Sequence, residues 1–335
     1  MSLKPDNSHL SRLTNNAFQG FRTAQFEDDG DRHDGAGLSL PHSVRDFVRD
    51  SVAANTRRAY ASDLAHFLNW GGSLPSKPQQ IAEYLASLAE THKPSTIGRR
   101  LASLSKAHAS ATETNPCKHE LVRATMKGIR RRLGLNQRQA RPLLRDDLFA
   151  ILDRMTERPK DIRDRALLLL GFATAMRRSE LVALEVEDIE RVERGLLVNV
   201  RRSKTDQGGR GRQIAVPFGR TQHCPVKALD NWLAFSPLSF GPVFRRINRH
   251  GQVLSDPITG EAVSLILRSR LNGAGYHPAG FSGHSLRAGF ATSAANANAP
   301  THKIRQTTGH RSDISLSRYI RGTDLFQNSA AYWIL

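Results

Sequence analysis

The stretch Gly283-His284-Ser285-Leu286-Arg287, then Gly309-His310, then Tyr319 nine residues on, gathers side chains that can do chemistry on a phosphate. Imidazoles move protons near neutral pH, a guanidinium clamps anionic oxygens, and a phenol can attack phosphorus. Together these are the parts a phosphoryl transfer needs when no metal is present. His284 and Arg287 fall one helical turn apart and so face the same side. Alone, the pair also describes a capped helix start, because Gly283-His284-Ser285 looks like a turn into a helix.

Upstream, Ala175-Met176-Arg177-Arg178-Ser179-Glu180-Leu181 opens an apolar-periodic helix. Arg177 supplies paired donors for a phosphate, with Arg178 as a rival, and Glu180 one turn on is placed to orient an arginine or histidine rather than to react. Lys204, in Arg202-Ser203-Lys204-Thr205, lies between two short strand-like runs. An ammonium on a hairpin tip could protonate a leaving oxygen, or simply contact phosphate as Arg201 and Arg202 could.

Arg177, Lys204, His284-x-x-Arg287, His310 and Tyr319, in this order, resemble the signature of the tyrosine recombinase (phage integrase) family. The resemblance, with a Cre-like two-domain layout, runs from about Val44 to the C-terminus, and the pattern Arg-x-Ser-Glu-Leu selects Arg177 over Arg178. It implies that Tyr319 is the nucleophile, leaving a 3′-phosphotyrosyl link and a free 5′-hydroxyl. It further implies Arg177 and Arg287 as the clamp, Lys204 as donor to the leaving oxygen, and His284 as acceptor of the tyrosine proton or holder of the phosphate. His310 is expected to donate to a non-bridging oxygen. No cofactor and no metal are expected, and strand exchange would pass through a Holliday junction without ATP.

Size and charge agree with such a partner. The chain has 335 residues, enough for two domains, and 49 Lys plus Arg against 31 Asp plus Glu give a formal charge of +18. A balance this basic in a chain of ordinary globular composition points to a polyanion, nucleic acid first. Between Leu121 and Arg145 stand eight basic residues, among them Arg130, Arg131, Arg132, Arg138 and Arg141, and no acidic one. A solvated helix face normally mixes both signs. Cys117 and Cys224 are too few for a disulfide framework or zinc site, and no apolar run suggests a membrane span or signal peptide. The expected setting is therefore cytoplasmic, on the nucleoid.

The elements that must position these residues follow from periodicity. Residues 1–40, rich in Asn, Asp, Gly and Ser, read as a flexible arm. Residues 41–135 read as an all-helical core-binding domain: Val44, Phe47 and Val48 form one stripe, and Tyr60, Leu64, Phe67 and Leu68 a second behind Asn55 as N-cap. Ile81, Tyr84, Leu85 and Leu88 form a third, Ile97, Leu101 and Leu104 a fourth capped by Ser95, and Val122, Met126 and Ile129 a fifth. Thr56, Arg57, Arg99 and Arg100, at or near helix starts, suit phosphate contact.

Residues 136–145 read as a basic linker, with Pro142 holding Arg141 extended. Residues 146–322 read as an α+β catalytic domain: helices near 146–154 and 162–173, a hairpin of 196–200 with 213–216, then helices after Cys224, around Leu265, after His284, after His302 and around Tyr319. The apolar segment 323–335 is expected to dock as a tail helix on a neighbouring subunit. The fold class is thus mainly α, with an all-α domain and an α+β domain closing as a C-shaped clamp on double-stranded DNA. Dimers on each site and a tetramer in the synapse are expected. A type IB topoisomerase, a telomere-resolving enzyme and a non-enzymatic DNA-binding regulator are the alternatives, and the complete set of site residues disfavours the last.

Overall fold

The computed structural model describes residues 46–47, 51–109, 114–134, 140–201, 211–236, 239–310, 312 and 316–317. Expectations for the arm of residues 1–40, for Arg138, Arg202, Lys204 and Tyr319, and for the segment 323–335 fall outside the described residues. The chain divides into two compact units, Met1–Arg138 and Gln139–Leu335. It is mainly helical, with one three-stranded and one two-stranded sheet. Among the described residues no helix is long and apolar enough to cross a membrane.

In the first unit four helices, α1 (Ala54–Asn69), α2 (Pro78–Leu88), α3 (Pro94–Ala109) and α4 (Glu120–Leu133), turn their apolar stripes onto one core. Phe67, Ile81, Tyr84, Leu85, Ile97, Leu104 and Val122 are fully buried in it. At about 1.5–3 kcal/mol for each large apolar side chain removed from water, this core is what holds the bundle.

Two helix starts differ from the sequence reading. Asn55 lies inside the first turn of α1, whose N-cap is Ala53, and the Ala53 carbonyl accepts from the Thr56 and Arg57 amides. Ser95 likewise lies inside α3, because Pro94, which has no amide hydrogen to leave unsatisfied, takes the first helical position. Phe47 is 78% exposed rather than part of a buried stripe.

The second unit opens with residues 140–144, which cross the surface of a later helix. The Arg141 amide donates to the Gly280 carbonyl (2.9 Å), and the Leu143 amide to Ser285 (3.0 Å). A Cβ on Gly289 would lie 1.7 Å from the Leu143 carbonyl oxygen, so this crossing requires glycine there. Next come α5 (Arg145–Leu152) and α6 (Pro159–Thr174), whose run Ala166–Leu170 is buried on every side. A helix apolar all round is the central one of its domain. The short α7 (Arg178–Val182) follows.

The hairpin β2 (Gly195–Val200) with β3 (Arg212–Pro217) is antiparallel, pairing Val198 with Ile214 and Val200 with Arg212. The sequence reading missed β1 (Ile189–Val192), which adds to β2, and the hairpin β4 (Arg245–Ile247) with β5 (Val253–Pro257). These strands are three to five residues long, too short for a period of two to show. The helices α8 (Pro225–Phe235), α9 (Gly260–Gly273), α10 (His284–Asn296) and α11 (Thr301–Thr308) complete the described unit.

Candidate active site

The site begins where α6 stops. Ala175 takes a left-handed conformation (φ 48°) and is fully buried, a strained backbone for a residue with a Cβ. This turn brings Met176 inward and sets Arg177 as the N-cap of α7. Glu180, one turn on, accepts from the Arg177 amide (3.0 Å) and from its guanidinium (2.6 Å). The carboxylate thus caps the helix and fixes the arginine at once. The turn also presents the Ala175 carbonyl to Arg287 Nη1 at 2.8 Å. Arg287, on α10 and 1% exposed, is thereby tied to the peptide two residues before Arg177.

A third guanidinium, which the sequence reading passed over, belongs to this group. Arg212, at the start of β3, donates through Nη2 to Glu180 Oε2 (3.1 Å) and through Nη1 to the Thr308 carbonyl (2.9 Å). Burial lowers its pKa, with repulsion from Arg177 adding to this and Glu180 opposing it. The signal was present in the sequence: alternation puts Arg212 on the same face of β3 as the buried Ile214 and Val216. An arginine on an inward face calls for an acidic partner, and Glu180 is it.

Arg212 also shapes the turn that carries His310. α11 ends at Thr308, and Gly309 adopts a left-handed conformation (φ 66°). A Cβ at Gly309 would stand 1.6 Å from Arg212 Nη1, so both backbone and space require glycine. His310 Nδ1 lies 2.8 Å from Thr308 Oγ1. His284 begins α10, its amide donating to Ser282 Oγ (3.2 Å).

Electrostatics mark the same cluster. His310 is pushed down to about 3, first by burial and then by Arg287, Arg177, Arg212 and His284. His284 is lowered by lost hydration and then by Arg287, Arg177 and Arg178, with Glu180 acting against them. Both imidazoles are therefore neutral at pH 7, among cations arranged for an anion that would offset them.

The structure thus brings Arg177, Glu180, His284, Arg287 and His310 into one cluster with Arg212. The remaining DNA-facing candidates divide. Arg130, Arg131 and Arg132 are exposed in the last turn of α4, and Arg141 is exposed with its guanidinium over the Phe281 ring. Thr56 is half-buried in the first turn of α1, where Arg57 donates to the Val52 carbonyl (2.7 Å). Arg99 is partly exposed and paired with Asp63.

Arg100 corrects the sequence reading. Its side chain is buried, bonded to the His66 ring (3.0 Å) and within 3.7 Å of Asp63, and so is turned into the first unit rather than towards a phosphate. Helix position placed it near an N-terminus, but the α1 residues it packs on decide its direction. Arg201 is bonded to Asp188 and Glu185 (2.5 Å each), so two carboxylates already balance its charge.

The chain is similar to known proteins in sequence and in fold. The Phage integrase family pattern matches residues 141–325. An integrase/recombinase XerD homolog of Selenomonas ruminantium is 38% identical over 303 residues, covering 88% of each chain. Recombinase Cre of Escherichia phage P1 is 27% identical over 228 residues, 62% of this chain and 65% of that one. In fold, the chain is similar to the lambda integrase of a tetramer bound to a Holliday junction, with a TM-score of 0.59 at 18% identity over 93% of this chain and 84% of that one. The chain belongs to the phage integrase family, the tyrosine recombinases. Its enzymatic class is that of a site-specific recombinase or integrase.

Proposed function

We propose that the chain cuts and rejoins duplex DNA at a specific site through a covalent bond to Tyr319, with neither metal nor ATP. The observation that carries this reading is the convergence of Arg177, Arg212 and Arg287 beside two neutral imidazoles. A scissile phosphodiester supplies the missing negative charge, and the guanidinium donors hold the charge that builds on its non-bridging oxygens. Tyr319 attacks phosphorus, the bond to the 5′ oxygen breaks, and Lys204 protonates the leaving oxygen. The partner strand's 5′-hydroxyl reverses the step. Bond energy stays in the phosphotyrosine, so no nucleotide is consumed. Losing one clamp donor is expected to cost about 3 kcal/mol of transition-state stabilisation.

Two protomers would occupy each site and four the synapse, exchanging strands through a Holliday junction. The lambda integrase complex to which the fold is similar is of that kind. Exposed Arg130, Arg131, Arg132 and Arg141 would contact the DNA backbone, which positions the protein without reading sequence. Covalent capture tests the reading. Wild type and Tyr319→Phe are incubated with fragments flanking the native gene, denatured and recovered, and the attached DNA is sequenced. Adducts at one position, 3′-linked and absent from the Phe variant, are expected. Equal retention by both proteins, or none despite native binding, would overturn it in favour of a DNA-binding regulator.

A further inference from the structure

Arg212 is the first residue of β3, opposite Val200 at the end of the paired hairpin. Its side chain joins two elements that lie far from it in the chain. Nη2 donates to Glu180 Oε2 (3.1 Å), 32 residues back on α7, and Nη1 to the Thr308 carbonyl (2.9 Å), 96 residues on at the end of α11. Nε is buried and has no hydrogen-bond partner among the described residues, and the side chain is only 17% exposed. The guanidinium is thus turned into the protein, and both of these bonds are to protein groups.

Each end of this bridge needs outside support. α7 is five residues long, too short to hold its own N-cap in place. Glu180 fixes Arg177 there through its amide (3.0 Å) and its guanidinium (2.6 Å), and Arg212 reaches the same carboxylate from another element. At the other end, the last carbonyls of a helix lack helical partners, and the helix dipole favours a cation beside them. Arg212 meets the Thr308 carbonyl in that way. Gly309 leaves it room to do so, since a Cβ there would stand 1.6 Å from Nη1.

We infer that Arg212 is a positioning residue for DNA cleavage: it binds the start of α7 and the end of α11 to β3, so that Arg177 and the turn leading to His310 keep fixed places relative to one another. It acts through these groups and not by holding the phosphate itself. This deepens the recombinase reading, and its kinetic half rests on that reading. A lysine keeps the charge but replaces the planar fork with a single ammonium, so it cannot serve both acceptors in the same geometry.

The first test needs no DNA. In the full chain with isotope-labelled arginine, the guanidinium protons of Arg177, identified with Arg177→Lys, are followed by proton–nitrogen spectra and by their exchange with water. Wild type is expected to show a sharp, protected signal, because the group is bonded to Glu180. Arg212→Gln should broaden that signal and remove its protection. Unprotected Arg177 protons in wild type overturn the positioning role, whether or not the variant folds. So does a folded Arg212→Gln protein in which the signal is unchanged.

The second test measures single-turnover adduct formation on the captured site together with DNA affinity. Arg212→Gln and Arg212→Lys should both slow adduct formation by about a hundredfold at unchanged affinity, the scale of a small misplacement of reacting groups. Gly309→Asn separates space from backbone, because asparagine tolerates the left-handed turn while its Cβ displaces Nη1. It should slow the reaction as much, and adding Arg212→Gln to it should cost no more, because both act on one contact. A wild-type rate in Arg212→Lys would show that charge alone suffices, and multiplied losses in the double variant would mean that Arg212 acts on the phosphate directly. Either result overturns the proposal. Absence of any covalent adduct in wild type sinks the recombinase reading and the kinetic half with it, while the DNA-free test still decides whether Arg212 holds Arg177.

Discussion

Two buried ionic clusters of the second unit differ in charge balance. Where α6 meets α9, Arg163 and Arg270 face Asp161 and Asp164. Arg270 bonds Asp161 (2.6 Å) and Asp164 (2.5 Å), Arg163 bonds Asp164 (2.7 Å), and Thr156 donates to Asp161 (2.6 Å). Two cations meet two anions there. In the site, among the described residues, Glu180 is the carboxylate bonded to both Arg177 and Arg212, while Arg287 bonds a neutral carbonyl. The histidines beside them are lowered first by burial and then by the neighbouring guanidinium groups. A balanced network is complete in itself, whereas an unbalanced one gains stability when an anion enters. In the bonds named here, charge balance, rather than burial or the presence of arginine, is what distinguishes the two clusters.

The comparison is broken most forcefully at its carboxylates. Glu180→Ala leaves Arg177 and Arg212 without their shared partner and should cost about 3–5 kcal/mol in urea unfolding. Cleavage should be lost with it. Asp164→Asn should also destabilise, but its folded fraction should cleave DNA at the wild-type rate. If the two variants lose cleavage alike when normalised to folded protein, the distinction between the clusters fails.

A smaller effect sharpens it. Arg177→Gln relieves the cationic excess, leaving Glu180 and Arg212 as a simple pair. Adduct formation should fall by about a hundred- to a thousandfold, while the melting temperature stays level or rises. Arg163→Gln in the balanced network should do the reverse, lowering the melting temperature and sparing the chemistry. A marked drop in Tm for Arg177→Gln would show that the site is compensated after all.

The smallest effects are in pH dependence. Burial raises the Asp161 carboxyl, but bonds from Thr156 and Arg270 outweigh it and hold the net pKa below the usual value. Its stabilisation is present above about pH 4 and is lost as pH falls through the lowered folded value. His310 is also lowered, so the unfolded chain binds its proton more readily, and stability declines as pH falls from 6.5 towards about 3. Melting curves against pH should therefore have a smaller upper acid limb in His310→Gln, where His66, His92, His108 and His284 still contribute, and a smaller lowest limb in Asp161→Asn, where Glu187 does. DNA, by offsetting the guanidinium charge, should shrink the His310 limb. A limb of unchanged size in the complex would mean that no phosphate reaches this ring.

Much of the site was legible because its parts are local. His284 and Arg287 lie three apart on one helix, as do Arg177 and Glu180 at the start of another, and such spacing fixes a shared face without knowledge of the rest of the chain. The long apolar stripes of α2, α4 and α6 were legible for the same reason. Arg100 was misread because its partners, Asp63 and His66, come from another helix, and a helix start does not reveal which side a neighbouring helix will cover. Arg212 was passed over although strand alternation pointed it inward, since its two partners lie far along the chain.

The sequence by itself determined which residues could do the chemistry, the helical domain followed by a mixed one, and the family, because residue type and short-range periodicity are written locally. Only the tertiary structure decided that Arg287 reaches the turn before Arg177, and that Arg212 joins β3 to Glu180 and to the turn before His310. Those outcomes depend on contacts such as Arg287 with Ala175 and Arg212 with Thr308, 112 and 96 residues apart. The folding of the whole unit is what brings such distant groups within reach of one hydrogen bond, and charge compensation is set at that range.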